Sequence, residues 1–101
     1  MKLVIITAIK EFENDIKLML KQAKVQTFSF REVTGYRDST EDAVKSNWFS
    51  SEMNQTESIL FYAFVKKENV DQLFELVKVF NNHQKTLSHI HVAVLNIEKS
   101  N

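Results

Sequence analysis

The chain has no cysteine, no proline and a single glycine, Gly35, among its 101 residues. Without cysteine there is no disulfide framework, no thiolate nucleophile and no cysteine-ligated metal site. One glycine is too few for a phosphate-cradling loop, which needs backbone without a Cβ so that the anion can come close. A dominant charge is lacking as well. The 13 basic and 13 acidic residues cancel, so no overall field draws the chain to nucleic acid or acidic membranes, and no local basic patch replaces it. The opening apolar run, Leu3 to Ile9, is far shorter than the ~20 residues of a membrane-spanning helix and has no small-residue cleavage ending. It reads as a strand, and a cytoplasmic protein with no membrane insertion is expected. Catalytic patterns are missing too. There is no Gly-x-Ser-x-Gly, no His-Glu-x-x-His and no P-loop, so no catalytic residue is assigned and the chain is read as non-enzymatic.

What is present is a folded single domain, 1–101, with 44% hydrophobic and 26% charged residues. Leu3 to Ile9 is followed by Phe12, Ile16, Met19, Leu20 and Ala23 at helical spacing. Asn14 or Asp15 is the expected helix start, since their side chains accept hydrogen bonds from free amides. Val25 to Tyr36 alternates, with Phe28 and Phe30 on one face and Val25 and Val33 on the other. Ile59 to Val65 is a third strand, and Val70, Leu73, Phe74, Val77 and Phe80 mark a second helix ending at Asn81-Asn82. Ile90 to Ile97 closes the domain. The order β-α-β-β-α-β gives an α+β, ferredoxin-like sandwich. Two helices cover one face of a four-stranded sheet, yet Leu3–Ile9 and Ile59–Val65 are apolar on both faces. A solvated face alternates, so the uncovered face is expected to meet other copies of the chain.

Between the second and third strands lie some twenty polar residues, Arg37 to Glu57, expected where two central strands meet. Long connections inside compact domains are uncommon and often functional. This one carries the only tryptophan, Trp48, beside Phe49, with Met53 following. Aromatic side chains in a polar connection suit a protein partner, because such residues dominate interface hot spots.

Three stretches of the sequence bear a resemblance. Ile9-Lys10-x-Phe12 precedes an acidic helix start, Glu32-Val33-Thr34-Gly35-Tyr36 enters the long connection, and Asn69-Val70-Asp71-Gln72-Leu73 lies in the second helix. Together, and over nearly the whole length, the chain resembles the PII family of trimeric nitrogen-regulatory signalling proteins and their PII-like relatives. The resemblance implies a homotrimer, a T-loop-like segment at 36–57, and a transporter or metabolic enzyme bound through that loop. It also implies a small ligand, such as an adenine nucleotide, in the cleft between subunits. The chain departs from typical members at their phosphate-binding glycines: Arg37-Asp38-Ser39 follows Gly35-Tyr36, and Thr86-Leu87-Ser88-His89 stands before the last strand. It therefore resembles a divergent member.

The ligand candidates are Gly35, Tyr36, Arg37, Asp38, Lys66 and His89, with Arg37 the fork donor to a phosphate or carboxylate and Lys10 nearby. His89 and His91, two apart on a strand, put two imidazoles on one face. Symmetry could gather copies of that pair around a divalent metal such as zinc, copper or nickel, which makes a metal-binding trimer of the cation-tolerance type the alternative reading. His83 at a helix end reads as a cap. A small dimeric ferredoxin-like oxygenase or isomerase using Trp48 and His89 is a further alternative. Phe28, Phe30, Phe61, Phe64, Phe74 and Phe80 are assigned to core or interface.

Overall fold

Strand β1 (Lys2–Ile9) passes directly into a 3-10 turn (Lys10–Phe12) and helix α1 (Glu13–Gln22). Strands β2 (Ser29–Tyr36) and β3 (Gln55–Val65), helix α2 (Lys67–Asn82) and strand β4 (His91–Asn96) follow. This is a computed structural model, and it describes residues 1–36 and 55–101. The four strands form one antiparallel sheet in the order β2-β3-β1-β4. The expected α+β sandwich with ferredoxin-like topology is therefore observed. Among the described residues no helix is long and apolar enough to cross a membrane.

Alternation along the two central strands decides where the core lies. Val4, Ile6 and Ala8 of β1 and Ile59, Phe61, Ala63 and Val65 of β3 point to the helices and are buried. They pack on Ile16, Met19 and Leu20 of α1 and Val70, Leu73 and Val77 of α2. Phe61 anchors an aromatic group, with Phe30 stacked on it at 5.1 Å and Phe28 tilted at 5.6 Å. Lys17 lies 4.3 Å over the Phe30 ring and pairs with Glu13 at 2.7 Å, so a cation covers the outer side of that group. Phe12 and Phe80 meet edge to face at 4.9 Å and close the other side.

Several expectations need correction. The long connection does not join two central strands: β2 is an edge strand, and the central pair is β3 and β1. Strand β3 starts at Gln55, so its first residues belong to the sheet rather than to the 36–57 segment, and Tyr36 ends β2. Helix α1 starts at Glu13 without a side-chain cap, because the 3-10 turn supplies a partner: the Glu13 amide donates to the Lys10 carbonyl. Val25 does not alternate with Phe28 on a strand. Its amide donates to the Leu20 carbonyl at 2.8 Å, so it belongs to the end of α1 and is buried in the core. Phe74 faces outward from α2, at 37% exposure.

The turn that ends α1 holds Lys24 at φ 65°, the only left-handed non-glycine residue described. A Cβ is unfavourable there, and glycine is the usual occupant of this position after a helix. Lys24→Gly is predicted to stabilise the fold by about 0.5–1 kcal/mol, after the entropy that glycine adds to the unfolded chain. Urea unfolding at constant m-value checks this.

Candidate functional site

The long connection is mounted on the last pairs of the β2–β3 ladder, Thr34 with Glu57, Gly35 with Thr56 and Tyr36 with Gln55. Gly35 is buried in the strand and Tyr36 is exposed beside it. Residues directly opposite share a face, so Glu32, Thr34 and Glu57 all lie on the helix side of the sheet. They line a shallow depression there. Lys10 reaches this point from the end of β1, its Nζ 2.6 Å from a Glu32 carboxylate oxygen. The hydrogen bond to Glu32 raises the Lys10 pKa above its ordinary value, with the charges of Glu32, Glu57 and Glu13 adding to the effect. A raised lysine pKa stabilises the fold at all pH below the ordinary lysine value and ceases to do so only as pH rises through the higher folded value. At neutral pH Lys10 is fully protonated. Lys10 was expected near the root of the connection; Glu32 and Glu57 as its partners were not foreseen.

At the same end of the sheet, β4 begins at His91, opposite Thr7 of β1. His89 and His91 are both exposed and flank the buried Ile90, but β4 begins at His91, so His89 precedes the strand on which the sequence placed it. Their position is fixed by a residue the sequence reading took only as a helix end. The Asn81 side chain donates to the Ile90 carbonyl at 2.9 Å and accepts from the Ile90 amide at 2.8 Å. This two-point clamp ties the end of α2 to the start of β4. His83 donates from Nδ1 to the Val79 carbonyl at 2.8 Å, a helix-end contact as its position suggested. Among the described residues no group of three or more histidine, cysteine, aspartate or glutamate side chains could hold a metal ion.

Lys66 sits elsewhere. It precedes α2, beyond the far end of the 11-residue strand β3, on the order of 30 Å from Gly35 at ~3.3 Å per residue. One chain cannot bring Lys66 and Gly35 to one ligand, so a site using both draws them from different copies. The expectations for Arg37, Asp38, Trp48, Phe49 and Met53 concern residues outside those described.

The sheet face turned away from the helices carries Leu3 and Ile5 of β1, Leu60, Tyr62 and Phe64 of β3, and Ala93 and Leu95 of β4. Tyr62 is 46% exposed, Phe64 56% and Leu95 43%. Its polar residues gather at the end near the long connection. There Arg31, Leu60, Thr7 and His91 form one row across the four strands. The Thr7 hydroxyl is buried and has no hydrogen-bond partner among the described residues. No carboxylate occurs at the described strand positions of this face, since Glu32 and Glu57 point the other way.

No protein-family model and no curated protein matches the chain. Solved structures do match in fold. CPII, a nitrogen regulatory PII-like protein from Thiomonas intermedia K12 solved with ADP, AMP and bicarbonate, is 15% identical with a TM-score of 0.63; the match covers 98% of this chain and 93% of CPII. A DUF3240 family protein from Shewanella baltica OS155 is 14% identical with a TM-score of 0.66, over 99% of this chain and 92% of its own. At these identities the likeness is one of fold, and it extends over the whole domain.

Removing the clamp tests how the imidazole end of the sheet is held. Asn81→Ala leaves the buried Ile90 amide and carbonyl without partners and is predicted to cost about 1–3 kcal/mol in unfolding free energy. The His89 and His91 resonances should shift with it in an imidazole NMR spectrum. An unchanged stability and spectrum would show that the clamp positions nothing.

Proposed function

We propose that the protein is a non-enzymatic PII-like regulator. It acts as a homotrimer packed through the open sheet face, with the helices outside. A small ligand binds between subunits at Gly35, Tyr36, Arg37, Asp38 and His89 of one copy and Lys66 of another. An adenine nucleotide is the first candidate. Residues 37–54, with Trp48, Phe49 and Met53, bind a partner protein, a transporter or a metabolic enzyme. The ligand acts by favouring one arrangement of that segment over another, which requires only that it bind the two arrangements with different affinity.

The observation that carries this reading is the pairing of an apolar, carboxylate-free sheet face with a long connection mounted at one end of the same sheet. An exposed apolar face of this kind marks an interaction surface, and a face with no carboxylate suits packing against copies of itself. The likeness in fold to a PII-like protein solved with ADP and AMP supports a nucleotide as the ligand to try first. The separation of Lys66 from Gly35 suits a ligand held between subunits rather than within one.

Calorimetric titration of the purified protein with ATP, ADP and AMP, with and without magnesium, tests the ligand. Saturable binding in the micromolar range is expected. Arg37→Ala should weaken it about tenfold, the loss of one charge-assisted hydrogen bond worth roughly 1.5 kcal/mol. No heat with any of the three would overturn nucleotide control.

A further inference from the structure

We propose that Lys10 is an electrostatic latch that ties three strands together where the long connection is mounted. It is a positioning residue, and the inference stands on the described residues alone, without the ligand or partner proposed above. The register of β1 on β3 pairs Ile9 with Ser58. Lys10 follows Ile9 as the first residue of the 3-10 turn, and the charge of Glu57 on β3 acts on its ammonium. Its ammonium then extends past β3 to Glu32 of β2, 2.6 Å away. One cation therefore touches or faces an acidic group on each of the other two strands, at the end of the ladder that carries the 37–54 connection.

The two carboxylates make this more than a surface ion pair. Glu57 pairs with Thr34, and Glu32 stands two residues before Thr34 on the same face. Diagonal neighbours of this kind lie roughly 7–8 Å apart, within reach of each other's long side chains. Without the cation, two negative charges face each other across the last described pairs of β2 and β3, close to Tyr36 and Gln55. With the cation in place, the repulsion becomes a bridge. Both partners of the bridge are partly open to water, with side-chain exposures of 42% for Lys10 and 62% for Glu32. The latch is therefore screened by salt and acts locally, on the end of the ladder rather than on the core.

Amide hydrogen exchange read by mass spectrometry or NMR tests the latch. In Lys10→Met, the amides of residues 32–36 and 55–59 should exchange about threefold to fivefold faster, a local opening of the size an exposed charge pair controls. The amides of Val4 to Ala8 should be unchanged. Lys10→Arg should behave as the native chain, and the double variant Lys10→Met with Glu57→Gln should recover most of the lost protection, because the repulsion is gone. High salt should speed exchange at the same amides in the native chain and not in the double variant. Lys10→Gln, which also removes the cation, read in the same way, carries the test if Lys10→Met does not fold. Native protection in Lys10→Met, loss spread evenly over the whole sheet, or no recovery in the double variant would each overturn the proposal.

Discussion

Two helices can cover only one face of a four-stranded sheet, and much of this protein follows from that mismatch. On the covered face, β1 and β3 bury Val4, Ile6, Ala8, Ile59, Phe61, Ala63 and Val65 against α1 and α2, and hydrophobic burial at about 25 cal/mol per Å² holds the domain together. On the other face the same two strands present Leu3, Ile5, Leu60, Tyr62 and Phe64. A monomer in water would carry polar side chains at those positions. The strands place apolar residues there, and the strand carboxylates Glu32 and Glu57 lie on the helix side of the sheet. The open face is thus the surface on which the proposed assembly rests.

The sheet also has two unlike ends. One end has the Lys10–Glu32 pair, Glu57, Gly35 and Tyr36 at the β2–β3 edge, where the long connection leaves and rejoins the sheet, and His91 at the opposite, β4 edge. The other holds Lys66, Lys24 and the start of β1. The length of β3 keeps these ends apart within one chain. Assembly through the open face and ligand binding between subunits are therefore linked parts of one proposal, since the second needs the first.

How much of this the sequence revealed varies with the length scale of the cause. Apolar periodicity located both helices and all four strands, because burial on one face imposes a 3.6- or 2-residue repeat that no loop mimics. The doubly apolar character of Leu3–Ile9 and Ile59–Val65 made the open face visible as well. Boundaries were less legible. The start of α1 was set by a 3-10 turn whose backbone hydrogen bond made a side-chain cap unnecessary, and Val25 was claimed by the end of α1. Neither leaves a signature in residue type. The edge position of β2 depends on strand order, which pattern alone does not encode. The partners of Lys10 and the Asn81 clamp were hidden for the same reason. Each joins residues far apart in sequence, and the face that Glu32 shares with Glu57 is set by the β2–β3 register. Lys66 was grouped with Gly35 by charge, and the geometry of β3 separated them.

The most direct test of the account is the mass of the native protein by light scattering coupled to size exclusion, at micromolar concentration, alongside Tyr62→Glu. Packing of copies through the open face predicts a trimer of about 35 kDa, three times the 11.8 kDa chain. It also predicts that a carboxylate placed at Tyr62 releases folded monomers with an unchanged circular dichroism spectrum. A native monomer, a dimer, or a trimer indifferent to Tyr62→Glu would contradict it.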